Sequence, residues 1–262
     1  MNPMQKLKDR IALITGASRG IGRAIALGYA REGASIAATA RSGSELDSLV
    51  QEIGGLGQKA IAIPADLARP GAAAETVQRV LEAFGTLDIL VNNAGIGSSA
   101  DPRPLVDFDD AFWDLTLALN LTSPYLLCKA VLPIMLRKRK GRIINMASIS
   151  SKTPTLHGVA YSASKHGLLG LTRTLALEVA SEGITVNAIC PGPVRTAMND
   201  KRIEYDAHRL GMKVEDFERT LTPIGRRLDA EEIVPLAVLL ASDESAAITG
   251  QAINICGGAV MF

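Results

Sequence analysis

Apolar residues in this chain fall into short runs separated by longer stretches with helical spacing. Runs of strand length stand at Ile11–Ile14, Ser35–Ala40, Ala60–Ile63, Ile89–Val91, Arg142–Met146, Thr185–Ile189 and Ala252–Ile255. Between them, helical patterns cover about Ile21–Glu32, Ser44–Ile53, Ala72–Phe84, Asp109–Arg137, Ala160–Ser181 and Ala230–Ala241. Short strands with no polar face must be covered on both sides, and helix-length crossovers return each strand parallel to the one before. The pattern therefore predicts an α/β chain with a doubly wound parallel sheet of about seven strands and helices on both faces. No linker, repeat or low-complexity tract divides it, so one domain over residues 1–262 is expected.

Composition agrees with that reading. Hydrophobic residues make up 47% of the 262, ample for a core on each face of a sheet. A formal charge of +1 gives no footprint for nucleic acid or for a strongly acidic partner. Cys128, Cys190 and Cys256 are odd in number, far apart and without a C-x-x-C pair, so they read as reduced thiols. Cys190 and Cys256 end apolar runs and read as small buried hydrophobes. The stretch Met1–Asp9 is polar and has no apolar signal core, and no apolar run reaches about 18 residues. A cytoplasmic protein without a membrane segment is the expectation.

Candidate chemistry begins with a glycine turn. The strand Ile11–Ile14 runs straight into Thr15-Gly16-Ala-Ser18-Arg19-Gly20-Ile21-Gly22, and a helix pattern follows. Glycines at a strand-to-helix turn let the backbone approach a pyrophosphate, while the helix N-terminus offers free N–H groups. The spacing is G-x-x-x-G-x-G, which departs from the common dinucleotide fingerprint, and by itself it is equally a tight turn. A second motif adds weight. Tyr161 and Lys165 stand four apart, which places them on one helix face, and Ser148 lies thirteen residues upstream. An ammonium near a phenol favours phenolate and should lower the phenol pKa from its usual value near ~10. A serine hydroxyl beside it can hold a substrate oxygen. This is acid–base equipment for a carbonyl or an alcohol. With a nucleotide to carry hydride, it fits a single Rossmann-type domain.

The second strand bears on the choice of nucleotide. In dinucleotide folds a carboxylate there holds the ribose 2′-hydroxyl, whereas an arginine accommodates a 2′-phosphate. Here the strand ends Thr39-Ala40-Arg41-Ser42, with no carboxylate. Arg19, inside the glycine turn, can flank the same phosphate. NADP(H) is favoured, with NAD(H) as the alternative if Arg41 is only a solvated loop arginine.

Taken in order, these motifs resemble the short-chain dehydrogenase/reductase family over essentially the whole chain. The matching residues are Thr15-Gly16-x-x-x-Gly20-x-Gly22, Asp66, Asn92-Asn93-Ala94-Gly95, Asn120, Ser148, Tyr161-x-x-x-Lys165 and Pro191-Gly192-x-Val194-x-Thr196. The resemblance implies that Tyr161 is the general acid in reduction and the base in oxidation, and that Ser148 orients the carbonyl. It implies that Lys165 holds the nicotinamide ribose hydroxyls and that Asn120 helps hold a water-linked relay to Lys165. Cofactor contacts are implied for Gly16, Ser18, Arg19, Gly20, Ile21 and Gly22, then Arg41, Ser42, Asp66 and Leu67 at the adenosine end. Asn93, Ala94, Gly95, Tyr161, Lys165, Pro191, Gly192, Val194 and Thr196 complete the implied set. Asp66 also reads as a turn residue, Asn120 as a helix polar residue and Thr196 as a helix cap.

The remaining expectations concern substrate and partners. Residues 193–223 mix charges with apolar side chains and are long enough to form a lid that excludes water. Similarity to 3-oxoacyl-thioester and polyketide ketoreductases implies an NADPH-dependent reduction of a ketone, with an acyl-carrier or coenzyme A thioester as the partner. The alternatives are NAD-dependent oxidation of a secondary alcohol or sugar and, from another class, a non-catalytic dinucleotide sensor. The run Arg137-Lys138-Arg139-Lys140 reads either as a solvated helix C-terminus or as a dock for an acidic carrier. His157 faces either substrate or solvent, and His166 points away from Lys165. No His/Asp/Glu cluster has ligand spacing, so no metal is expected. By family analogy the chain forms a homotetramer.

Overall fold

Consecutive residues of a strand point to opposite sheet faces, and this chain has an apolar partner for each. In the computed structural model, which describes residues 5–262, Ile14 packs into one hydrophobic core and its neighbour Leu13 into another. The strands are β1 (Ile11–Thr15), β2 (Ser35–Ala40), β3 (Ala60–Pro64), β4 (Ile89–Asn92), β5 (Gly141–Met146), β6 (Ile184–Pro191) and β7 (Ala252–Ile255). They form one seven-stranded sheet in the order β3-β2-β1-β4-β5-β6-β7, and every pairing is parallel. Strands β4, β5 and β6 are buried at every position, as a sheet covered on both faces requires.

The helices are α1 (Gly20–Arg31), α2 (Gly43–Gly55), α3 (Ala72–Phe84), α4 (Asp110–Leu117), α5 (Ser123–Lys138), α6 (Val159–Val179), α7 (Ala197–Leu210), α8 (Val214–Thr220) and α9 (Val234–Ala241). Leu46, Leu49, Ile25 and Val238 fill the core beneath α1, α2 and α9. Tyr29 is buried there, donating its hydroxyl to the Ala237 carbonyl at 2.8 Å. On the other face Val77, Val80, Leu127, Val131, Leu175 and Val179 bring α3, α5 and α6 onto the sheet.

Two elements differ from expectation. The continuous helix expected over Asp109–Arg137 is interrupted by a π turn at Ala118–Thr122. A π turn admits one extra residue and re-aims its side chains, and such turns recur at functional sites. This stretch, Asp110–Lys138, is long and apolar enough to cross a membrane, and Leu127, Cys128, Val131 and Met135 spend part of that apolarity on the second core. The helix expected from Ala230 starts as a 3₁₀ turn, Ala230–Ile233, before α9. Pro235 has no N–H to donate and fits only in the first turn of α9.

Chain order reverses between β1 and β4, which is the switch point where a crevice opens at the carboxyl ends of the strands. Gly16, Arg41, Asp66, Asn93, Ser148 and Gly192 all follow carboxyl ends of strands. They therefore share one edge of the sheet.

Candidate active site

The glycine turn is built by close backbone approach. Thr15 is buried, and its Oγ1 accepts hydrogen bonds from Asn93 N and Ala94 N, both at 2.9 Å. The Asn93 amide donates to the carbonyls of Thr15 at 2.9 Å and Gly16 at 3.1 Å. A Cβ on Gly22 would lie 2.3 Å from the Gly16 oxygen and 2.4 Å from Asn93 Nδ2. Gly16, at φ +63°, would bring a Cβ within 2.8 Å of the Ala94 Cα. Side chains are thus excluded on two sides of the turn, and α1 begins at Gly20 with no side-chain cap on its N-terminal N–H groups. Such an end suits a phosphate.

Across the switch point stands the polar trio. Ser148 follows β5 and caps a 3₁₀ turn, Ile149–Ser151. Its Oγ accepts from Ser150 N and its own N–H donates to Ser151 Oγ, both at 3.1 Å. Tyr161 is half-buried in the first turn of α6. Burial pushes its phenol pKa up, and the adjacent Ser148 hydroxyl pulls it down. Lys165 is buried, with Nζ 5.8 Å from the centre of the Tyr161 ring and donating to the Met146 carbonyl at 2.8 Å. Burial pushes its pKa down to about 8. The expectation that Lys165 lowers the phenol pKa is corrected here. Desolvation of both groups dominates, and the ammonium donates to the Met146 carbonyl.

Asn120 occupies the π turn and is fully buried. Its Oδ1 accepts from Ile96 N at 2.8 Å, and its Nδ2 donates to Ile96 O at 2.9 Å and Ser164 Oγ at 3.2 Å. The side chain is therefore occupied in tying the segment after β4 to α6. A Cβ on Gly95 would stand 3.0 Å from Asn120 Oδ1 and 3.8 Å from Lys165 Nζ. Gly95, Asn120 and Lys165 are thus packed together.

A family model described as short chain dehydrogenase matches residues 10–206. The chain belongs to the short-chain dehydrogenase family. It is 37% identical over 256 residues to the 3-oxoacyl-[acyl-carrier-protein] reductase FabG of Thermotoga maritima, covering 98% of this chain and all of the relative. It is also 37% identical over 255 residues to D-beta-hydroxybutyrate dehydrogenase of Rhizobium meliloti, with 95% and 98% covered. A crystal structure of a variant of actinorhodin polyketide ketoreductase with NADPH superposes with a TM-score of 0.91 at 35% identity, covering 97% of this chain and 98% of that one. The protein is an oxidoreductase of CH–OH and C=O groups that uses a nicotinamide dinucleotide.

The other residues expected in the site of this dehydrogenase divide in two. Arg19 and Arg41 are exposed, Ser42 heads α2 without a capping bond, and Ser18, Ala94 and Gly95 are half-buried along the crevice. In contrast, the side chains of Leu67 and Val194 are buried in the cores, so only their backbone faces outward. Ile21 packs partly into the core. Asp66 accepts from Ala68 N at 3.1 Å as a turn residue. Gly192 is required by the fold, since a Cβ there would lie 2.8 Å from the Cys256 Cα; Pro191, before it, ends β6. Thr196 is the N-cap of α7 and accepts from Asn199 N at 3.3 Å. Its methyl would be 3.2 Å from a Cβ on Gly20, so the start of α7 abuts the glycine turn.

Several contributors were not singled out by their residue type. Thr15 pins the turn, Ser164 anchors the Asn120 amide, and the Met146 carbonyl receives Lys165. Of these, only Thr15 has a sequence mark, a lone hydroxyl ending an apolar run before glycine. The basic run is largely consumed within the chain. Lys138 pairs with Asp88, Arg139 donates to Glu182 at 2.8 Å, and Lys140 donates to Asp243 at 3.0 Å. This favours the helix-terminus reading over a carrier dock. His166 is exposed and bonded to Ser162 O at 2.9 Å, away from the trio.

Proposed function

We propose that the protein reduces a ketone to a secondary alcohol with NADPH, and that the ketones it takes are 3-oxoacyl thioesters. The observation that carries this is the convergence of the Ser148 hydroxyl, the Tyr161 phenol and the Lys165 ammonium on the same sheet edge as the glycine turn. A phenol kept protonated by burial is suited to giving a proton to a carbonyl oxygen. The substrate class is supported by the relatives named for 3-oxoacyl and polyketide reduction.

The residues present fit a dinucleotide. Gly16 and Gly22 keep side chains away from the turn, and α1 offers uncapped N–H groups to a pyrophosphate. Arg19 and Arg41 are exposed, and neither takes part in an ion pair among the described residues. Two unpaired guanidiniums with no carboxylate at the end of β2 support a 2′-phosphate. When bound, the reduced nicotinamide supplies a hydride to the carbonyl carbon. Ser148 holds the carbonyl oxygen, and the Tyr161 O–H delivers the proton to it. Lys165 holds ribose hydroxyls and returns a proton towards Tyr161, while Asn120 braces the segment against which Lys165 packs.

Residues 193–223 would close the substrate side of the cleft. Exposed Leu115, Tyr125 and Leu177 on α4, α5 and α6 supply apolar surface for pairing copies into a homotetramer. A second reading, oxidation of a 3-hydroxy compound with NAD, draws on the likeness to D-beta-hydroxybutyrate dehydrogenase. The test is loss or gain of reduced-nicotinamide absorbance with both nucleotides, in both directions, over 3-oxoacyl thioesters, diketones, ketosugars and steroids. NADPH-dependent consumption with 3-oxoacyl thioesters is expected, and Arg41→Asp should move the kcat/KM ratio towards NADH. A wild type that prefers NADH, or is idle on all ketones, overturns the reading.

A further inference from the structure

Helix α7 buries Ile203 and Ala207, and it reaches two neighbouring loops through Met198, Arg202 and Tyr205, at i, i+4 and i+7. The first contact is steric. Gly97 leaves room for Met198, whose Cγ would lie 2.6 Å from a Cβ there, and Ser99 Oγ donates to the Met198 carbonyl at 2.7 Å. The second is ionic. Arg202 is held in a fork by Asp206, with Nε to Oδ2 at 2.7 Å and Nη2 to Oδ1 at 3.1 Å, and both side chains are mostly buried. With its plane fixed, the guanidinium donates Nη2 to the Leu156 carbonyl at 2.8 Å and faces Ser98 Oγ at 3.4 Å. The third contact joins Tyr205 to His157, oxygen to Nδ1 at 2.7 Å, with the Arg202 guanidinium 5.4 Å from the Tyr205 ring centre.

The two loops so gripped are those that shape the site. One runs from Ser148 to Tyr161 and contains Leu156 and His157, and the other follows β4 and contains Gly97 and Ser98. His157 holds φ +55°, a left-handed backbone that non-glycine residues rarely adopt, and such outliers persist where the surroundings over-determine them. Here the surroundings are Tyr205 on one side and Gly158, packed against Ser98, on the other. We propose that Arg202 is a positioning residue that sets the width of the substrate cleft, so that it governs how large a ketone enters; this rests on the reduction reading above. One guanidinium, braced by Asp206 on its own helix, reaches one partner on each of two loops, which a lysine point charge cannot do.

The test compares Arg202→Met, Arg202→Lys and Tyr205→Phe with wild type on ethyl acetoacetate and the bulkier ethyl benzoylacetate. For Arg202→Met, KM for the small ester should rise about tenfold, with the bulky-to-small ratio of kcat/KM shifted several-fold in favour of the bulky one. Arg202→Lys should fall between, and Tyr205→Phe should shift the ratio less, in the same direction. NADPH affinity should stay within about twofold of wild type in all three. Amide hydrogen exchange supplies a readout independent of turnover: faster exchange confined to residues 197–210 is expected in Arg202→Met. An unchanged size ratio overturns the proposal, whatever the exchange in α7. So does exchange raised across the whole chain with lost NADPH binding, which would mean a merely structural role. If wild type reduces neither ester nor any thioester, the reduction reading fails, and exchange in α7 still decides whether Arg202 holds the helix.

Discussion

The glycine turn and the 193–223 segment border the same crevice and are held by opposite means. The turn is fixed by main chain, one hydroxyl and one amide: Thr15 Oγ1 accepts from Asn93 N and Ala94 N, Asn93 grips the Thr15 and Gly16 carbonyls, and a Cβ on Gly22 would strike the Gly16 oxygen. Among the described residues, no ion pair takes part. The segment is fixed by side chains, with Arg227 bridging Asp200 and Glu218, Arg195 reaching Glu218 at 3.0 Å, and Arg202 on Asp206. Backbone contacts at van der Waals distance cannot be traded one atom at a time, whereas side-chain pairs can be exchanged by substitution and are weakened by salt where exposed. If the turn holds the nucleotide and the segment covers the substrate, as proposed, the nucleotide side is built to be invariant in geometry and the substrate side to be adjustable.

The hardest test falls where the two regions meet. Tyr161→Phe should cost about 10³-fold or more in kcat while NADPH affinity, followed by nucleotide fluorescence, stays nearly unchanged. Appreciable residual turnover would remove Tyr161 from its assigned role. Next in size, Gly22→Ala should cost about 1–3 kcal/mol of stability in denaturant titration, because the added methyl has no space to enter. It should also abolish saturable NADPH binding at concentrations that saturate wild type. A fully stable Gly22→Ala protein that binds NADPH would show that the turn is not rigid.

Lys165 offers a prediction of opposite sign. Its folded pKa of about 8 lies below its ordinary 10.5, so the folded chain binds fewer protons than the unfolded one between those values. Stability of the nucleotide-free protein should therefore rise as pH climbs from about 8 towards 10.5, and burial of the ammonium is a cost below that window. Lys165→Met should be more stable than wild type at neutral pH by about 1–2 kcal/mol, since the lost bond to Met146 offsets part of the gain. The advantage should shrink as pH climbs from about 8 towards 10.5 and reverse above it, where only the lost bond to Met146 remains. A destabilised Lys165→Met would mean that the ammonium is better solvated than its burial implies.

The smallest effect separates the two regions directly. Glu218 is held below the usual carboxylate range by hydrogen bonds from Arg227 and Arg195, so its stabilisation is present above its ordinary pKa and fades as pH falls through the depressed value. Arg227→Met should lower stability by about 1 kcal/mol, alter KM for the ketone and leave NADPH affinity alone. Added salt should narrow the gap between Arg227→Met and wild type. Equal losses on the nucleotide and substrate sides would erase the distinction between them.

Much of this was legible along the chain. Strand positions Ser35–Ala40 and Ala252–Ile255 and helix Ala72–Phe84 agree residue for residue, because buried runs and amphipathic spacing are local consequences of burial. Tyr161 and Lys165 were visible for the same reason, since four residues on a helix fix a shared face. The π turn was not visible, because Ala118–Thr122 has ordinary helix formers and deviates in order to bring Asn120 between Ile96 and Ser164. Leu67 and Val194 carry motif positions, yet their side chains belong to the cores.

The sequence by itself determined the strand and helix sequence, the glycine turn, the serine–tyrosine–lysine spacing and the family, because each rests on spacing within a few residues or on motif order. Tertiary structure alone decided which charges are spent and which remain. Lys138, Arg139 and Lys140 look free in sequence and are paired with acids from three distant segments, while Arg19 and Arg41 remain exposed. It likewise decided the sign of the Tyr161 pKa shift, because desolvation depends on everything packed around a group and not on its neighbour one helical turn away.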